Sequence, residues 1–156
     1  MATVSENLGT PTALTITLAS LASSTAGVGR QSTLVDNTTN LFLAIELFLD
    51  IVVGTTPNAN SLIYVYLIRQ NNDSTPIADD GAGLTDAGIT IVNAKQIDTI
   101  LVPNNTSNLH YKKSIDLTFS GQVPAKWGIA IVNASGVALN ASGHVCSFTG
   151  VKATVV

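Results

Sequence analysis

Charge is what this chain has least of: Lys, Arg, Asp and Glu make up 11% of its 156 residues, against about 25% in an ordinary soluble domain. Asn, Thr and Ser stand in their place. Neutral hydroxyls and amides keep a surface wet without the desolvation penalty of buried ions, so such a surface is easier to bury against another chain. The net charge of −3 and the pI near 5.0 provide no electrostatic drive toward nucleic acid or anionic lipid, and neither is expected as a partner. Lys112 and Lys113 form the only adjacent basic pair. On a strand they point to opposite faces, as solvated edge residues do.

Residues that carry chemistry are equally scarce. The single cysteine, Cys146, has no second thiol for a disulfide, a zinc ribbon or a redox pair, and it reads as a small core residue. Of the two histidines, His110 and His144, neither stands near a second ligand at metal spacing. Gly27-Val28-Gly29-Arg30 contains half of a phosphate loop but lacks the Gly-Lys-Ser/Thr ending and a following helix. Asp79, Asp80 and Asp86 lie in a glycine-rich stretch whose carboxylates suit a hard cation, yet their spacing matches no EF-hand. The one tryptophan, Trp127, reads as a sheet-packing residue, with a sugar-stacking platform as its other use. The chain is therefore expected to be no enzyme and to hold no cofactor and no metal. Its opening, Met-Ala-Thr-Val-Ser-Glu-Asn, lacks the basic start and apolar run of a secretory signal. The Asn-X-Ser/Thr triplets are accordingly read as chance products of an Asn-rich chain.

What the sequence does contain is alternation. In residues 14–18 Leu, Ile and Leu point one way and two threonines the other, which predicts a half-buried strand. Residues 40–53 place Leu41, Leu43, Ile45, Leu47, Leu49 and Ile51 on one face, with Leu43, Ile45 and Leu47 expected in the core. Glu46 and Asp50 fall on the other, less buried face. Helix propensity in this segment is respectable, but the unbroken period of two favours a strand. Residues 61–69 are apolar on both faces and predict a strand covered on both sides, one of them by a neighbouring subunit. Further strands are predicted at 32–35, 89–92, 96–102, 110–120, 125–133 and 145–155, with 71–88 as the longest loop. About eight strands at this spacing predict an all-β chain: a two-sheet antiparallel sandwich of jelly-roll type. Residues 12–156 form its single domain, and 1–11 an extended N-terminal arm. A chain of this length buries roughly 70% of its unfolded surface and needs no metal or disulfide to fold.

Several stretches are similar to known proteins. Ala26-Gly27-Val28-Gly29-Arg30-Gln31-Ser32-Thr33, running into Val35-Asp36-Asn37-Thr38-Thr39-Asn40 and a long apolar strand, resembles a segment of small structural proteins of tailed bacteriophages. Leu62-Ile63-Tyr64-Val65-Tyr66 after an Asn-rich turn, and Trp127-Gly128-Ile129 with Asn133-Ala134-Ser135-Gly136, are similar in the same way. The likeness spans residues 25–70 and 124–140 and is to capsid decoration, or cement, proteins. It implies a β-sandwich that assembles, commonly as a homotrimer, on the outside of the virion head and clamps neighbouring major capsid subunits. The competing function is a receptor- or carbohydrate-binding module of a phage tail or fibre, suggested by Trp127, Tyr64, Tyr66 and the acidic loop.

Two capsid contacts are open at this point. The arm would pair along a neighbouring edge and bury Val4 and Leu8, giving an attachment that resists salt. The loop would instead offer Asp73, Asp79, Asp80 and Asp86 to basic partners, and that attachment would weaken as ionic strength rises.

Overall fold

The computed structural model describes residues 4–24, 28–70, 87–88, 94–117 and 123–155. In chain order the elements are β1 (Val4–Leu8), β2 (Thr12–Ala13), β3 (Val28–Gln31), β4 (Val35–Asp36), the one-turn helix α1 (Asn37–Asn40), β5 (Ala44–Val52), β6 (Ser61–Gln70) and β7 (Ala87–Gly88). They continue with β8 (Lys95–Val102), β9 (His110–Asp116), β10 (Lys126–Ala134) and β11 (Val145–Val155). One antiparallel sheet runs β1-β11-β5-β9 with β2 also on β11; the other runs β7-β3-β10-β6-β8 with β4 also on β10.

The pairing is nested. Leaving out the two-residue strands, the first strand pairs with the last (β1 with β11), the second with the last but one (β3 with β10), then β5 with β9 and β6 with β8. That is one long antiparallel hairpin folded over itself. Two further ladders, β11 on β5 and β10 on β6, stitch the folded hairpin into two sheets. This is the eight-strand jelly roll, and the expected fold class holds.

Alternation becomes layering in β5 and β6. Ile45, Leu47, Leu49 and Ile51 of β5 share one core with Ile63, Val65 and Leu67 of β6 and with Trp127, Ile129 and Ile131 of β10. Trp127 is buried and meets Phe148 edge-on at 5.1 Å between ring centroids, and Phe42 also meets Phe148 edge-on, at 6.1 Å. Gly150 makes room for this aromatic stack, because a Cβ there would overlap the Phe42 ring. The opposite face of β6 is also covered: Ile68 is buried together with Ala130 and Val132, against half-buried Leu34, Tyr64, Tyr66 and Ala94.

Four local expectations change. Residues 14–18 belong to neither ladder: Leu14 N–H donates to the Cys146 carbonyl of the first sheet, and the Thr15 carbonyl accepts from Thr33 N–H, between β3 and β4 of the second. The segment crosses between sheets, so its alternation plugs Leu14 and Leu18 into the core without forming a strand. The strand expected at 32–35 falls instead on the break between β3 and β4, with only Val35 in a strand. At the break, the Ser32 side chain takes over a ladder position, its Oγ accepting from Ile129 N–H at 3.0 Å. The long strand begins only at Ala44, because Asp36 caps α1 by accepting from Thr38 N–H at 2.8 Å and Leu41 ends it with a left-handed φ of 55°. Leu43 is consequently 56% exposed, outside the core to which it was assigned, whereas Asp50 is buried.

Residues 4–8 pair along their length with β11, in register from Val4 opposite Val155 to Leu8 opposite Val151. Both they and β2 therefore lie in the first sheet. The strand expected at 89–92, and residues 71–86 of the loop, lie outside the described residues.

Candidate functional site

The two edges of the first sheet are built differently. Along the β9 edge, Lys113 Nζ donates to Asp98 Oδ1 at 2.7 Å and to the Thr99 carbonyl at 3.0 Å, tying β9 to β8 across the sandwich. Its neighbour Lys112 points the other way, 3.9 Å from Asp50 Oδ2. Lysines in these positions deter another strand from pairing there. The β1 edge has no lysine and no proline, and all five of its residues are exposed. Glu6 is its only charge.

Apolar side chains gather at this open edge. Val4 and Leu8 are 66% and 65% exposed. Leu8 pairs with Val151 on one side, while Leu43 N–H donates to the Val151 carbonyl at 2.8 Å on the other, so Leu8 and Leu43 flank the same residue. Leu41 stands two residues away and is 67% exposed. A leucine in the left-handed region is strained where glycine or asparagine would not be. Its side chain adds little burial to offset that strain. Of the residues singled out in the sequence, Val4 and Leu8 fall in this patch; Asp79, Asp80 and Asp86 lie outside the described residues. Leu41 and Leu43 were missed, because alternation alone assigned them to the core face.

A second cluster sits at one end of the first sheet, where β5, β9 and the start of β11 meet. The Asp50 carboxylate accepts from His110 Nδ1 at 2.9 Å. His144 Nδ1 accepts from Val52 N–H at 3.2 Å, and its Nε2 lies 2.8 Å from the Asn140 carbonyl. With Nδ1 accepting, Nε2 is the nitrogen that can donate to the Asn140 carbonyl. Both histidines are thus spent on holding strand ends. Among the described residues no group of three His, Cys, Asp or Glu side chains is arranged to hold a metal ion.

The remaining chemical candidates are structural in position. Burial, with the Asp50 carboxylate adding repulsion, pushes the Cys146 thiol up to about 12, which leaves almost no thiolate at neutral pH. Arg30, on β3, donates to the carbonyls of Thr17 and Ala19 at 2.8 and 2.7 Å and so braces the crossing segment. Trp127 offers no face for a sugar, because it is enclosed in the core. Tyr64 and Tyr66 are half-buried with their rings 6.4 Å apart, and burial raises the Tyr66 phenol above its ordinary value. No helix among the described residues is long and apolar enough to cross a membrane. No family model and no curated protein matches the chain.

Proposed function

We propose that this protein is a structural virion protein that assembles on the outside of a phage head, as a homotrimer, and stabilises contacts between major capsid subunits. The observation that carries the reading is the pair of exposed apolar side chains, Val4 and Leu8, on an unguarded sheet edge, with Leu41 and Leu43 also exposed just before β5. A monomer in water gains nothing from leaving four large apolar side chains exposed, whereas an assembly can bury them. The low charge of the whole chain supports the same reading, since few ions have to be desolvated when it docks. The resemblance of residues 25–70 and 124–140 to decoration proteins supplies the partner, the major capsid protein. The rival tail-module reading loses its main support with the burial of Trp127.

The test uses capsids assembled from the major capsid protein of the same genome. Wild-type protein should occupy them and remain bound as the Debye length falls from about 10 Å at 0.1 M salt to about 3 Å at 1 M. A double variant, Val4→Asp with Leu8→Asp, should fold and fail to attach. Sedimentation of the free protein should show the trimer. Absence of attachment, or attachment that high salt abolishes, refutes the proposal.

A further inference from the structure

The hydrogen bonding of β1 decides which of its groups are available. Gly9 N–H donates to the Gly150 carbonyl at 2.9 Å, so Gly9 and, by alternation, Asn7 and Ser5 turn their backbone groups toward β11. Val4, Glu6 and Leu8 turn theirs away from the sheet. Among the described residues nothing bonds to those outward N–H and C=O groups. The same three residues carry their side chains on one face of the sheet, the face on which Glu46 and Phe48 also lie.

From this we infer that the β1 edge is a docking site for one extended polypeptide segment of the pattern apolar-x-basic-x-apolar, added as a further strand of the first sheet. The inference rests on the assembly reading above and gives it a recognition rule. A strand laid along β1 would hydrogen-bond to Val4, Glu6 and Leu8, and its residues opposite those three would share their face. Apolar residues opposite Val4 and Leu8 cover exposed surface, and Lys or Arg opposite Glu6 neutralises the single charge on the edge. The pattern is the same read in either direction, so it does not depend on the polarity of the added strand.

A second copy of this chain is a poor occupant. Two β1 strands paired antiparallel about their centres match Val4 with Leu8 but set Glu6 directly against its symmetry mate, and like charges in that position repel. Charge complementarity therefore selects a partner segment that differs from β1 at its central position.

Two synthetic peptides test this directly: one alternates Thr with Val, Lys and Val, and the other has Glu in place of Lys. Fluorescence anisotropy with wild-type protein should show the Lys peptide binding roughly two- to thirty-fold more tightly, the range expected for exchanging an opposed for a like charge pair. The Glu6→Lys variant should invert that preference. Glu6→Pro removes one outward N–H and no bond to β11, so it should abolish peptide binding while leaving the melting temperature nearly unchanged. Equal binding of both peptides, or retention of binding by Glu6→Pro, overturns the inference. So does a dimer of the wild-type chain that Glu6→Pro dissolves, since the occupant would then be a second copy. Capsid attachment separates this inference from the function it rests on. If Glu6→Pro still attaches, the edge rule fails and the virion reading survives; if the peptides discriminate as stated but no capsid binds, the virion reading fails and the edge rule survives.

Discussion

Two leucines that alternation alone assigns to one face should behave in opposite ways when truncated. Leu47 is fully buried, opposite Phe148 on one neighbouring strand and Ile115 on the other. Leu47→Ala removes three buried carbons, a transfer loss of roughly 2.4 kcal/mol at about 0.8 per carbon. The cavity left between two strands that cannot close on it raises the expected cost to about 2–5 kcal/mol. In a chain of this size each kcal/mol shifts the melting temperature by about 2–4 °C, so a drop of roughly 4–20 °C is expected. Leu43, four residues earlier, is 56% exposed, and its truncation should cost about 1 kcal/mol or less. Thermal and urea unfolding followed by circular dichroism reads both, with unchanged urea dependence showing that the unfolded states match. A Leu47→Ala protein melting within about 2 °C of wild type, or a Leu43→Ala protein as damaged as Leu47→Ala, would refute the account of how β5 is layered.

Other perturbations have equally definite outcomes. Asn133 is fully buried, and its amide donates to the carbonyls of Leu21 and Val137 at 3.1 and 2.7 Å while its oxygen accepts from Ser135 N–H at 3.0 Å. Asn133→Ala should cost about 2–4 kcal/mol in urea unfolding through the groups it orphans, and a cost under about 1 kcal/mol would discount that network. The Cys146 thiol is raised from 9.0 to about 12, so the folded state holds its proton more tightly than the unfolded chain does. Its contribution to stability is intact below pH 9.0 and is lost as pH climbs toward about 12. Tyr66 shifts in the same direction, which is why the comparison is with Cys146→Ala: the two proteins' urea midpoints should change relative to one another only in that alkaline window, and parallel curves throughout would contradict the thiol's burial. Leu41→Gly relieves a left-handed φ and should leave stability unchanged or raise it by up to about 1 kcal/mol, while capsid attachment falls; a clear loss of stability would show that Leu41 serves the fold.

Much of the architecture was legible along the chain because half-buried strands announce themselves at a period of two. The limits of β6, β8, β10 and β11 fall within a residue or two of those read from alternation and from the Gly, Pro and Asn clusters between them. Alternation reports only that a side chain has an inward direction, and not whether anything waits there. Residues 14–18 alternate as a strand does, yet they cross between the sheets because their backbone groups are claimed from both sides. Leu43 alternates as a core residue does, yet it lies beyond the end of the packed layer.

The site divides along the same line. The scarcity of charge, the single thiol and the separated histidines were evident from composition, and so was the apolar character of Val4 and Leu8. That Val4–Leu8 forms a sheet edge with β11 behind it, that Lys112 and Lys113 guard the opposite edge, and that Leu41 and Leu43 are left exposed before β5 were decided by the tertiary fold. The physical reason is that sequence periodicity is a local property set by the pleat. Edges and corners exist only once strands distant in the chain have chosen their neighbours, and here that choice pairs the first strand with the last.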